Sequence, residues 1–232
     1  MITVPFKDAW TGQADCKTCS LRSSVLFAGL TEEDFESIHK PINQFVLKPG
    51  EMLYREGDMG NKMFTIRSGL IKLAQNLPDG SQRIVRLVGT SDVTGLEAML
   101  NDAYKHDATV LQTTEICCLP IDVINKLGSS NTSLHKELLK RWNSALNEAD
   151  SWLTELSTGS AKQRVARLIL KLINNNASHP FSLFSREDIG SMLGITTETA
   201  SRTIADFKRR ELIKEVSSNK FIGNIDVLQA ET

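Results

Sequence analysis

Nowhere in this chain do eighteen apolar residues run consecutively, so its sequence holds no membrane-spanning helix. The opening MITVPFKDAW lacks the basic segment and apolar run of a secretory signal, and the expected location is the cytoplasm. Histidine is scarce. His39, His106, His135 and His179 are scattered without ligand spacing, which argues against a cupin-like metalloenzyme, the enzyme class weighed as an alternative. No P-loop, G-x-S-x-G or zincin pattern occurs, so nothing points to an enzyme. Four cysteines in a chain expected in the cytoplasm indicate metal binding, redox sensing or inert core thiols rather than a disulfide scaffold. Net charge is also nearly absent, at -1 over 232 residues, which by itself disfavours a nucleic-acid partner.

Dividing the chain changes that conclusion. Residues 160–232 carry 11 Lys and Arg against 8 Asp and Glu, net +3, leaving 16 against 20, net -4, before them. The cationic end also contains the most informative stretch, FSREDIGSMLGITTETASRTIADFKRR from Phe184 to Arg210. Ser185 with Asp188 three residues on marks a helix start, and Ile189, Met192 and Leu193 follow at helical spacing. Gly194 supplies the turn, Ile195 is expected to plug the core, and Thr196 is the cap of a second helix. On that helix Ala200, Ile204 and Phe207 form an inward face. Glu198, Ser201, Arg202 and Ala205 share an outward one. Arg202 has the fork that suits guanine O6 and N7, Glu198 can accept from a base amino group, and Ser201 can reach a base or phosphate. All three sit early in the helix, where a recognition helix meets base edges, and the basic Lys208-Arg209-Arg210 follows. The pattern predicts a DNA-reading helix-turn-helix.

The fold class expected for the whole chain is α+β. Residues 1–30 are a leader carrying Cys16 and Cys19, and a short helix is expected over residues 31–38. From Ile42 to about Leu119, glycines at 50, 57, 69, 80, 89 and 95 punctuate short β-rich runs, as in a small sandwich or barrel. Runs 63–69 and 70–75 stand on either side of Gly69, and Asp79-Gly80 signals a hairpin before 83–88. After Gly128 a long helix is expected, with Leu134, Leu138, Trp142, Ala145, Ala149, Trp152 and Leu156 forming a nearly heptad seam. We expect that seam to join a homodimer, because a two-fold operator needs two reading heads at a fixed distance. Thr158-Gly159-Ser160 is the hinge. Ala161 to Ile173 is a further amphipathic helix, and residues 212–216 and 220–222 flank a turn, as in a β-hairpin wing. The expected divisions are a leader at 1–30, a β-domain at 31–128, the seam helix at 129–157 and the helix-turn-helix domain at 158–232.

In this order and spacing, Lys48 to Asp58, Phe64 to Leu73, Asp79 to Leu87 and the helix-turn-helix resemble the Crp/Fnr family of bacterial transcription regulators. The resemblance implies a cyclic-nucleotide-binding-like β-roll (jelly roll), a dimerisation helix, a C-terminal winged helix-turn-helix, and double-stranded DNA and RNA polymerase as partners. The sequence Glu198-Thr-Ala-Ser-Arg202 is similar to the fumarate-and-nitrate-reduction, oxygen-sensing branch, which implies TTGAT-like half-sites in an inverted repeat. Thr197 stands where the cyclic-AMP receptor has an extra arginine. The DNA-facing set implied is Thr197, Glu198, Thr199, Ser201 and Arg202, with Lys208 and Arg209. A cyclic-nucleotide-responsive regulator is the alternative. Members of that kind hold the cyclic phosphate with a Gly-Glu pair and an Arg-Ser, whereas this chain has Gly95-Leu96-Glu97 and His106-Asp107, and an aspartate facing a phosphate repels it.

The oxygen-sensing branch implies a [4Fe-4S] cluster on three leader cysteines and one in the β-domain. Cys16, Cys19 and Cys117 match three of these positions, and the remaining leader position falls at Val25 or its neighbours Ser24 and Leu26. Cys118 is extra, and strand alternation points it away from Cys117 unless the strand breaks near Pro120. Three readings stand open: an iron–sulfur cluster with an unusual fourth ligand, a thiol redox or zinc site, and no cofactor, with a buried thiol.

Overall fold

The computed structural model describes residues 10–13, 42–175 and 180–232. Cys16, Cys19 and the helix expected over residues 31–38 lie outside them. The chain divides into two compact units, one of residues up to Gln75 with Val85–Asn147, the other of Asn76–Ile84 with Glu148–Thr232.

The first unit is built on an antiparallel sheet. Its strands are β1 (Trp10–Gln13), β2 (Asn43–Leu47), β3 (Met52–Tyr54), β4 (Lys62–Asn76), β5 (Gln82–Val88), β6 (Val93–Thr94) and β7 (Asp107–Pro120). They run in the order β1-β2-β7-β4-β5, with β3 also paired to β7 and β6 to β4. The two runs expected around Gly69 are one strand of 15 residues, bent by register shifts between Ile66 and Ile71. Gly69 makes the bend feasible: its φ is +98°, and a Cβ there would lie 2.4 Å from the Thr113 carbonyl oxygen. The Asp79-Gly80 hairpin forms as expected, with the Asp79 carboxylate accepting from the Ser81 amide at 2.9 Å.

Alternation along β7 sends its side chains to two cores. Ile116 and Cys118 pack with Phe45, Phe64, Tyr54 and Tyr104 inside the roll. Leu119 joins Met63, Val123 and Leu127 in a second cluster, against which Cys117 also packs. The strand stays paired through Pro120, so the two adjacent thiols face opposite ways.

The long helix expected after Gly128 forms, and a shorter, unexpected helix precedes it. Helix α1 (Ile121–Ser130) runs through Gly128, and α2 (Thr132–Ser151) follows a break at Asn131, whose backbone is extended. Asn131 Oδ1 accepts from the Ser133 amide at 2.9 Å and starts the new helix. A π-helical turn, Trp152–Leu156, ends it. The seam also needs correction. Leu134 and Leu138 are buried in the second core of their own unit, and Trp152 and Leu156 are 5% and 0% exposed within the single chain. The stripe that α2 leaves open is Leu139, Trp142 and Leu146, at 66%, 39% and 59% exposure, with Ala149 half-buried. No described helix is long and apolar enough to cross a membrane.

In the second unit α3 (Ala161–Asn175) buries Val165, Leu168, Ile169 and Leu172, the face its periodicity predicts. Strand β8 (Phe181–Ser182), helices α4 (Arg186–Leu193) and α5 (Thr197–Arg209), strands β9 (Ile213–Ser217) and β10 (Lys220–Gly223), and helix α6 (Ile225–Ala230) complete it. Strands β8, β10 and β9 form a three-stranded sheet, so the expected wing hairpin gains a third strand.

Candidate nucleic-acid interface

Both helices of the pair start where their caps predict. Ser185 Oγ accepts from the Asp188 amide at 3.0 Å, and Thr196 Oγ1 accepts from the Thr199 amide at 3.1 Å. Gly194 closes α4 in the left-handed region at φ 61°, ψ 45°. Ile189, Met192 and Leu193 from α4 and Ala200, Ile204 and Phe207 from α5 are all buried, whereas Ile195 is only partly so. Sequence reasoning missed Gly190. A Cβ there would lie 2.7 Å from the Ile195 carbonyl oxygen, so only glycine lets the turn fold back onto α4. It also missed buried Thr203, whose hydroxyl donates to the Thr199 carbonyl at 2.8 Å, using up its polarity inside the helix.

The outward face of α5 carries the expected reading set. Thr197, Glu198, Ser201, Arg202 and Arg209 are exposed, and Thr199 is half-buried beside the cap. Arg202 Nη2 donates to Glu198 Oε1 at 2.6 Å, with 79% and 71% of the two side chains open to solvent. Such an exposed pair stores little energy, about 0.3–0.5 kcal/mol, so both groups are available to a ligand. Lys208 is differently placed. Its ammonium lies 2.8 Å from Glu215 Oε2 and 4.7 Å above the Phe221 ring, tying the end of α5 to the wing. The Lys208 hydrogen bond, followed by one from the Asn219 amide, holds the Glu215 carboxyl below its usual range. On the same helix Asp206 receives Lys162 Nζ at 3.0 Å and also pairs with Arg209 and Arg210. The Lys162 hydrogen bond is the largest of several interactions that keep the Asp206 carboxyl ionised to lower pH than usual.

In the β-unit the residues that the resemblance sets against a cyclic phosphate, Glu97, His106 and Asp107, contact protein groups. Asp107 Oδ1 accepts from the Glu56 amide at 2.9 Å, and His106 Nδ1 stands 3.7 Å from Glu97 Oε1. Inside the roll Tyr54 and Tyr104 stack at 4.0 Å between ring centres. Burial pushes the Cys118 thiol up to about 11, so in the metal-free protein it stays protonated at neutral pH, and its packing inside the roll turns it away from Cys117. Among the described residues no three His, Cys, Asp or Glu side chains gather as metal ligands. With Cys118 turned into the core, the matching thiols number three, Cys16, Cys19 and Cys117, one short of an all-cysteine four-ligand set.

Residues 44–131 match the cyclic nucleotide-binding domain family, and residues 163–231 match the Crp-like helix-turn-helix domain family. The chain is 30% identical over 208 residues to the transcriptional activator protein anr of Pseudomonas aeruginosa, covering 87% of this chain and 85% of that one. It is 24% identical over 205 residues to the fumarate and nitrate reduction regulatory protein of Vibrio cholerae, covering 85% and 82%. Among solved structures, FixK2 from Bradyrhizobium japonicum shares the fold at a TM-score of 0.74 and 21% identity, over 82% of this chain and 96% of that one. The chain therefore belongs to the Crp/Fnr family: it is a DNA-binding transcription regulator with a sensory N-terminal domain, not an enzyme.

Proposed function

We propose that the protein works as a homodimer that places two copies of α5 in successive major grooves of an inverted repeat with TTGAT-like half-sites. The observation that carries this reading is the outward face of α5. Glu198, Ser201 and Arg202 stand exposed in its first two turns, on a helix whose opposite face is buried. The open stripe Leu139, Trp142 and Leu146 supports a dimer, since a run of large apolar side chains on one helix face is stable when a second copy covers it. One relative is named a transcriptional activator, and RNA polymerase is the partner this reading assigns. Its work then lies in the cytoplasm, with the DNA.

For the signal, the Asp107 carboxylate, which would repel a cyclic phosphate, favours thiol or metal chemistry at Cys16, Cys19 and Cys117 over a cyclic nucleotide. The three thiols fall one short of a complete all-cysteine cluster set, so no step is assigned to such a cluster. Fluorescence anisotropy with duplexes carrying an inverted repeat, one half-site or random sequence tests the DNA reading. Preference for the inverted repeat over the single half-site is expected, and equal affinity for all three duplexes refutes it.

A further inference from the structure

An open cleft of about 620 Å³ beside α5 is lined by Lys162, Arg202, Thr203, Ala205, Asp206 and Arg209. At its base sits the Asp206 side chain, only 14% exposed, while Lys162 and Arg209 above it are 54% and 78% exposed. Lys162 comes from the first turn of α3, so this carboxylate joins two elements 44 residues apart in sequence. Arg210 braces the carboxylate from the other side: its Nη1 lies 3.5 Å from Asp206 Oδ2 while its Nη2 pairs with Glu231.

We propose that Asp206 is the positioning residue of a phosphate clamp, in which Lys162 and Arg209 grip one strand of the DNA backbone while Arg202 reads a base. The proposal rests on the DNA reading above and adds to it the residues that hold the backbone. Three considerations support it. Arg202 and Arg209 lie seven residues apart, about 10 Å along the helix axis, close to the roughly 12 Å width of a major groove. With one at a base edge, the other reaches the flanking phosphates. Next, Lys and Arg side chains are long, and ordering each on a ligand costs conformational entropy, a cost that a carboxylate already holding them in place reduces. Finally, of the basic residues near the end of the helix, Arg210 is occupied by Glu231 and Lys208 by Glu215 and Phe221, while the cations that line the cleft are Lys162, Arg209 and the base-reading Arg202.

A simple count of charge makes the opposite prediction for Asp206. Removing a carboxylate from a DNA-facing cleft adds one positive charge per subunit, which should tighten binding and steepen its salt dependence. In the clamp, losing the anchor outweighs that gain.

The test measures affinity from roughly 50 to 200 mM salt for the full-length protein and its variants, on the inverted-repeat duplex and on a random one. Each neutralised phosphate contributes about 0.9 to the slope of log affinity on log salt, so releasing one phosphate in each of the two subunits removes about 1.8. Lys162→Gln and Arg209→Gln are each expected to lower the slope by about that amount on both duplexes. Asp206→Asn is expected to lower the slope and weaken binding, and Lys162→Gln should add little on the Asp206→Asn background, because both changes disable the same grip on the backbone. Tighter binding or an unchanged or steeper slope for Asp206→Asn overturns the clamp. So does a Lys162→Gln slope equal to the wild type, a result that does not depend on how Asp206→Asn folds. Phosphate binding is independent of sequence, so if the wild type fails to prefer the inverted repeat, the operator reading fails while the slopes on random duplex still decide the clamp.

Discussion

Replacing Arg202 by alanine removes a group whose cost can be worked from its surroundings. In the free protein its guanidinium pairs with Glu198, at 2.6 Å on an exposed helix face, and giving up that pair costs about 0.3–0.5 kcal/mol. A bidentate contact with guanine contributes roughly 1–3 kcal/mol of discrimination. The net loss per half-site is then about 0.5–2.7 kcal/mol, and two half-sites weaken a dimer by about fivefold to ten-thousandfold. Folding stability should change by no more than about 0.5 kcal/mol, because the side chain is 79% exposed and touches no core. Anisotropy at fixed salt, against a series of duplexes substituted at each half-site position, provides the assay. Arg202→Ala should flatten discrimination at one position and leave affinity for random duplex nearly unchanged. An equal loss on every duplex would make Arg202 a phosphate-binding residue and refute the base-reading argument.

Leu146→Glu should place a charge on the exposed stripe of α2 and give a monomer by light scattering at tens of micromolar; a dimer of wild-type affinity would mean that the stripe is not the interface. The interior of the roll should fail at high pH. Burial raises the Cys118 thiol from 9.0 to about 11 and the Tyr104 phenol from 10.0 to about 12, with Tyr54 raised too. The folded state then keeps protons that the unfolded chain releases, so stability is full below about pH 9 and is lost as pH rises toward 12. Melting temperatures from pH 8 to 11 check this, and Tyr104→Phe should make the decline shallower. Gly190→Ala should destabilise the second unit by about 1–3 kcal/mol in chemical denaturation, since its Cβ meets the Ile195 carbonyl oxygen at 2.7 Å; a change below about 0.5 kcal/mol would show that the turn can shift. If thiolates hold a metal, Ser at Cys16, Cys19 or Cys117 should abolish metal content measured under nitrogen, whereas Cys118→Ser should retain it. Retention by all four variants would assign the signal to the interior of the β-unit instead.

What was legible in the sequence was whatever depends on near neighbours. The caps Ser185 and Thr196, the turn at Gly194, the buried faces of α3, α4 and α5, the Asp79-Gly80 hairpin and the wing all follow from residues a few positions apart, because helix and strand repeats are local. The opposite facing of Cys117 and Cys118 came from the same source, the period of two along a strand. Tertiary structure decided the matters that need a distant partner. Leu134 and Leu138 share the seam's periodicity, yet the neighbouring core takes them and leaves Leu139, Trp142 and Leu146 open, since a repeat marks an apolar face without saying which surface will cover it. Only packing showed Gly190 to be a close-approach glycine. Lys208 and Arg209 read alike as basic residues after a recognition helix, but the fold ties the first to Glu215 and Phe221 and leaves the second open to solvent. The meeting of Lys162 with Asp206 has no local signature at all, because only the packing of α3 against α5 brings a lysine and a carboxylate 44 residues apart to 3.0 Å.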